Sequence, residues 1–330
     1  MNAANPGPFR KGKRERVVLG QWISFRNCQH KRSAMKCKLS VGILAATGCL
    51  PILSRAQTVD TVIASALFEP HSVAVDANNN YYITDSANNR IVRYVPDTAV
   101  MSSFAGLKGS QGTNDGAGIQ ARFFDPKGIV YVPARNGFVV ADSGNHLIRL
   151  VALNGAVLTI AGLAGTPGAT DGPGNIATFR FPSGLAADTN GNVFIADSKN
   201  NIIPKLDLDN AVTTVAGGFY EPSAVAVGDN GQLFVADTRN HSIQVIETNG
   251  VVTLMAGSNS RYVSGIDDSP FASSALFNGP SGLLWLGAKN GLLISDTGNH
   301  TLRRLYYNTN SDVNGFQSRR SSEAQDNQDS

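Results

Sequence analysis

Cysteine is missing from most of this chain. Cys28, Cys37 and Cys49 are the only three in 330 residues, so residues 57–330 contain none. That excludes disulfides and thiolate chemistry there and leaves the fold to be held by its core. Also missing are a P-loop, a dinucleotide fingerprint, a nucleophile elbow and an HExxH helix, the short motifs of phosphate, cofactor and metal chemistry. Basic charge is confined to one end. Residues 1–56 hold 11 of the 28 Lys and Arg and a single acid, Glu15, so the rest carries 17 bases against 24 acids. A net-negative body argues against a phosphate-backbone partner, and no nucleic acid is expected. The one sustained apolar run, Leu39–Leu53, is too short to cross a bilayer comfortably.

What is present is a repeat, written five times: DSANNRIVR from Asp85, DSGNHLIRL from Asp142, DSKNNIIPK from Asp197, DTRNHSIQV from Asp237 and DTGNHTLRR from Asp296. Ser or Thr follows each Asp, and Asn stands three places on, at Asn88, Asn145, Asn200, Asn240 and Asn299. An aliphatic residue comes next in register: Ile91, Ile148, Ile203, Ile243 and Leu302. Upstream of each Asp by 15 or 16 residues lies a proline (Pro70, Pro126, Pro182, Pro222, Pro280), with an aromatic just before it. Between these marks run four short apolar stretches, as in Gly184–Ala187, Asn192–Ala196, Ile202–Leu206 and Ala211–Val215. Runs this short, bounded by turn residues, read as strands. Four strands at a period of about forty residues make a β-propeller blade.

The pattern resembles the NHL repeat, and the second copy contains Asn145-His146-Leu147 itself. The resemblance covers roughly residues 57–310. It implies an all-β propeller whose first strand in each repeat lines a central channel; the five copies count five blades, and six, the commoner number in this family, is the alternative. It implies no reaction, because this fold hosts binding modules and enzymes alike. The stretch TVDTVIASALFEP ending at Pro70 parallels AVTTVAGGFYEP ending at Pro222, a fourth strand running into the next proline. The last copy, Pro280 to about Tyr307, lacks such a strand. Residues 58–63 are therefore expected to complete the last blade and close the ring, removing two open sheet edges.

The ends divide differently. Residues 1–34 read as a dispensable extension, since Met35 is a natural start. Residues 35–56 read as a signal peptide: Lys36 and Lys38, an apolar run, then Ser54-Arg55-Ala56. A basic arm or a membrane anchor is the alternative. Residues 57–310 form the propeller, and 311–330, polar throughout, are expected to be disordered. The mature protein is then secreted or periplasmic, off the membrane, and monomeric.

Three connections are long, 107–122, 163–178 and 258–276, and the up-and-down trace sets them on the face carrying the Asp turns. Loops on a rigid scaffold are where binding concentrates. Asp115, Arg122, Asp171, Arg180, Asp267 and Asp268 are the candidates, for a protein or glycan partner. The Asp-Gly loops lack the spaced acids of an EF-hand, so no cofactor is expected, calcium being the alternative. The five repeated aspartates read as structural, accepting hydrogen bonds from the Ser/Thr and Asn of their own turns. His146, His241 and His300 stand where other copies have Asn89 and Asn201, which suits a turn residue rather than a metal ligand. Pro204 falls inside a third strand, where a bulge is expected. The reading is an exported, non-enzymatic binding module. The alternative is a metal-dependent lyase or lactone hydrolase acting at the channel mouth. Peptidyl-hydroxyglycine amidating lyases, which have similar propellers, hold zinc through histidines after such prolines. Here only His71 matches, with Lys127, Ser183, Ser223 and Ser281 at the other places.

Overall fold

The computed structural model describes residues 67–269, 271–307 and 316–318. Short β-branched and aliphatic runs, cut off by residues that accept positive φ, extend into strands. Five antiparallel sheets result. The first holds β1 (Pro70–Val75), β2 (Tyr81–Asp85), β3 (Arg90–Val95) and β4 (Val100–Ala105). The second holds β5 (Gly116–Ala117), β6 (Pro126–Val132), β7 (Gly137–Asp142), β8 (Leu147–Ala152) and β9 (Ala156–Ala161), with β5 outermost against β9. The third holds β10 (Gly172–Pro173), β11 (Pro182–Ala187), β12 (Val193–Asp197), β13 (Ile202–Leu206) and β14 (Ala211–Gly217), with β10 outermost against β14. The fourth holds β15 (Ala224–Val227), β16 (Leu233–Asp237), β17 (Ser242–Ile246) and β18 (Val252–Gly257). The fifth holds β19 (Pro280–Trp285), β20 (Leu292–Asp296), β21 (Thr301–Tyr307) and β22 (Phe316–Ser318). This is a five-bladed β-propeller, as the repeat implied.

The inner strands succeed one another in the order β1, β6, β11, β15, β19, each against the next. They come close enough for backbone to meet backbone. Gly184 donates its N–H to the Ser223 carbonyl of the next blade at 2.9 Å, and a Cβ on Gly184 would lie 2.5 Å from that oxygen. Apolar side chains fill each space between blades. Ile91 and Phe138 join the first to the second, and Ile148 and Ile195 the second to the third. Ile203 and Val235 join the third to the fourth, and Ile243 and Ile294 the fourth to the fifth. Among the described residues no such cluster joins the fifth blade to the first. Leu302, in the register of Ile91, Ile148, Ile203 and Ile243, is 68% exposed, and Val73 on β1 is 57% exposed where Ile129 is 4%.

The strand expected to close that seam, 58–63, lies outside the described residues, as do the expected extension and signal segment. Among the described residues the fourth strand of the last blade is β22, which pairs Leu305 with Ser318. Three residues of the polar tail, Phe316–Ser318, pair there with β21, whose open edge presents backbone donors and acceptors that pair with any extended chain. Pro204 does fall at an irregularity, between Ile203 and Pro204. The same irregularity recurs after Ile91, Ile148 and Ile243, so the proline occupies a break in the ladder that every such blade already has.

Candidate functional site

Each repeat motif forms one tight turn. Strand two ends on Asp, and the chain then leaves the turn through a residue in the left-handed region. That residue is Asn89 (φ 55°), His146 (61°), Asn201 (61°), His241 (52°) or His300 (55°). Asn and His are among the residues that tolerate this conformation best. The aspartates are buried and fully engaged. Asp85 accepts from the Phe68 N–H at 2.6 Å, from Asn88 at 2.9 Å and from Arg90 at 2.7 Å. Asp142 accepts from Phe124 N–H at 2.8 Å, Asn145 at 2.9 Å and Arg149 at 2.7 Å. Asp296 does the same with Asn278 N–H, Asn299 and Arg303. Asp197 accepts from Arg180 N–H and Asn200, and Asp237 from Tyr220 N–H and Asn240, with no ion pair to either among the described residues. Burial pushes Asp197 up to about 7, and pushes Asp142, with the Arg149 guanidinium against it, up to about 6.

The Ser/Thr of the turn does not serve the aspartate, contrary to expectation. Its hydroxyl reaches the next blade. Ser86 donates to the Pro126 carbonyl at 2.6 Å, Ser143 to that of Pro182, Ser198 to that of Pro222 at 2.6 Å, and Thr238 to that of Pro280 at 2.8 Å. The Asn or His at the left-handed position completes the latch by accepting the N–H of the residue before that proline. The pairs are Asn89 with Asp125 (2.9 Å), His146 with Phe181 (3.1 Å), Asn201 with Glu221 (2.8 Å) and His241 with Gly279 (2.9 Å). His146 and His241 are thus structural acceptors, in the place that Asn89 and Asn201 take in other copies. In the fifth blade Thr297 instead bonds Ser281 of its own sheet.

The long loops do hang on this face, pinned by the repeat asparagines. Asn145, Asn200 and Asn299 donate to the carbonyls of Gly112, Gly168 and Gly265. The six loop candidates are placed as follows. Asp115 bonds Arg149 at 2.7 Å and both the N–H and hydroxyl of Thr159; Asp171 bonds Thr214 in the same way. These two carboxylates clip the dipeptide strands β5 and β10 to β9 and β14. Arg122 donates to the carbonyls of Ile119, Gln120 and Ala121. Asp268 pairs with Arg303 at 2.7 Å, and Asp267 offers Arg303 its backbone carbonyl. Arg180 gives its N–H to Asp197, and its charge adds to burial in lowering the His146 pKa. None of the six lines the cavity that the inner strands enclose.

That cavity, about 440 Å³, opens at the mouth of the channel on the same face. The residues after the repeat prolines line it: His71, Lys127, Ser183 and Ser223. Turn residues Ser198, Lys199, Thr238, Arg239 and His241 join them, with Phe181, Glu221 and Asn278. Glu221 is held between Lys199 (2.6 Å) and Arg239 (3.3 Å), and the Lys199 bond foremost keeps its pKa low. Lys127 faces Asp125 at 3.6 Å. Burial, then Lys127, holds His71 below the usual imidazole range. Among the cavity's described residues no hydroxyl is hydrogen-bonded to an imidazole, the pairing that nucleophilic catalysis needs. Nor do three His, Cys, Asp or Glu side chains converge to hold an ion among the described residues. His71, Lys127, Ser183 and Ser223, after the repeat prolines, and His241, at the repeat turn, were marked by position in the sequence; the cations Lys199 and Arg239 vary from copy to copy, and no periodicity marks them.

The architecture is that of a β-propeller with a polar, hydroxyl-rich mouth and blades joined by backbone-reading latches. The NHL repeat family model matches residues 69–94, 179–203 and 219–246, and the chain is an NHL-repeat β-propeller protein. It is similar to NHL repeat-containing protein 2 of Gallus gallus, 38% identical over 108 residues, which is 32% of this chain and 15% of that protein. The Homo sapiens protein of that name is 35% identical over 106 residues, again 15% of its length. The chain therefore spans a small part of these relatives. Among solved structures it resembles virginiamycin B lyase from Staphylococcus aureus with quinupristin, at 13% identity and a TM-score of 0.52, covering 78% of this chain and 71% of that one. That likeness concerns the fold alone.

Proposed function

We propose that this protein is an exported, non-enzymatic binding module whose ligand is seated on the loop-bearing face, at the channel mouth. One observation carries the binding half: a cavity into which all five blades send polar side chains, with no hydroxyl–imidazole pair among them. The export half rests on the sequence of residues 35–56. A rigid scaffold that converges hydroxyls, amides and cations on one concave surface is suited to orienting a polar ligand. The reading is tested with the full chain, incubated with a glycan library and analysed by mass spectrometry. Ligand recovered unchanged and in no more than stoichiometric amount supports it. Product of altered mass accumulating over many turnovers overturns the non-enzymatic half, and turnover that tracks a tightly held divalent ion would establish the lyase or lactonase alternative. Fractionation that finds the chain in the cytoplasm with residues 35–56 intact overturns the export half.

A further inference from the structure

Phe181 is out of place. The residue before the repeat proline adopts a left-handed conformation in every blade: Glu69 (φ 51°), Asp125 (49°), Phe181 (52°), Glu221 (48°) and Gly279 (61°). A bulky aromatic in that region is a costly choice, and strain of this kind collects at functional sites. The backbone geometry there serves the latch to His146, which any residue's N–H could make. The phenyl ring itself remains 41% exposed and lines the cavity, its edge steadied by His146 at 4.6 Å between ring centroids. Among the described residues that line the cavity it is the one phenyl ring.

The charge around it is also out of keeping with the chain. From residue 57 on, acids outnumber bases by 24 to 17, yet the cavity is lined by three cations, Lys127, Lys199 and Arg239, and one carboxylate, Glu221. Glu221 pairs with Lys199 and Arg239, while Lys127 has Asp125 at 3.6 Å; cations stay in excess by one. A concave surface with one excess sign concentrates the opposite sign in a ligand. The volume, about 440 Å³, lies in the range of small-ligand sites. An aromatic platform, a cationic rim and a set of hydroxyls together match a ring with one apolar face, several hydroxyl groups and a carboxylate.

We propose that the cavity binds a hexuronate unit of an acidic glycan, with the sugar's apolar face on Phe181 and its carboxylate towards the Lys127, Lys199 and Arg239 rim. This rests on the binding-module reading and narrows it to one ligand class. The test is calorimetry of the full chain with trigalacturonate, with maltotriose as the neutral sugar and with benzoate as the aromatic acid. Trigalacturonate should bind, maltotriose about tenfold or more weakly, and the binding should weaken on going from about 0.05 to 0.5 M salt. Phe181→Asn removes the platform but suits the left-handed backbone, so it should lower affinity by about tenfold while the melting temperature holds or rises. Lys127→Ser, outside the blade latches, should lower affinity by about threefold or more with the same fold. Equal binding of maltotriose, full affinity in Phe181→Asn, or benzoate binding in place of the trisaccharide overturns the proposal. If trigalacturonate does not bind but another glycan is retained by the chain, the hexuronate assignment fails and the binding-module reading stands.

Discussion

Ile203 and Leu302 hold the same place in the repeat, yet one has no accessible surface and the other is 68% exposed. The interior interfaces and the seam differ in nothing the local sequence records: both have the Asp turn, the Ser/Thr and the Asn or His. They differ in whether a neighbour arrives. At four interfaces the next blade presents a proline carbonyl, a free N–H and an apolar strand, and the face is sealed. At the seam, among the described residues, the fifth blade's latch groups turn inward or find no such carbonyl. Burial here is a property of the pair of blades, and the repeat supplies only half of each pair.

That contrast can be broken in several places. The largest effect should come from Arg149→Ala, which strands the buried Asp142 carboxylate and should cost about 3–5 kcal/mol in denaturant unfolding. Arg303, 9% exposed beside Asp296, should cost less when truncated in the same way. Next, Ile203→Ala should cost about 2–5 kcal/mol, while Leu302→Ala should stay within about 0.5 kcal/mol. An equal cost at Leu302 in a chain whose mass is that of a monomer would mean that the fifth blade meets the first in solution. A smaller, graded effect concerns pH. Burial raises Asp197 to about 7, so the folded state holds a proton there that the unfolded chain releases near the ordinary carboxylate value. Its contribution is therefore full at acid pH and is lost as pH rises through about 7. The unfolding free energy should fall between the ordinary carboxylate value and about pH 7 by up to about 1.4 kcal/mol per pH unit, and Asp197→Asn should flatten that slope. A slope unchanged in the variant would assign the titration elsewhere. The smallest effect should separate the latches. His241→Ala loses the acceptor for the Gly279 N–H and should cost about 1 kcal/mol more than His300→Ala, which shares the same backbone strain but has no such partner among the described residues.

The blade was legible because its marks recur in register: a turn that must be remade in every blade shows itself by repetition. The Asp–Asn bond and the interchange of His with Asn followed directly. The destination of the Ser/Thr hydroxyl did not, since its partner is a backbone carbonyl 24 to 42 residues away and leaves no side-chain signature. Asp115 and Asp171 were read as ligand candidates because exposed Asp-Gly loops look functional. Their partners, Thr159 and Thr214, occupy matching places in two outer strands, a correspondence visible only once the loops are known to fold across them. The buried cations had a faint signal: Arg149 and Arg303 share one column of the repeat with Gln244 and Pro204. The cavity's cations had none, because Lys127, Lys199 and Arg239 stand at positions where the copies disagree.

The latch that joins the blades touches only a carbonyl and an N–H, groups every residue possesses, and asks of the incoming chain just a proline and a left-handed residue before it. A unit copied and spliced beside its parent would carry both halves of the joint with it and could be accepted at once, without compensating changes. Such a molecule can lengthen by duplication while the residues facing the mouth drift freely, so that the joints keep their likeness and the pocket acquires its individuality.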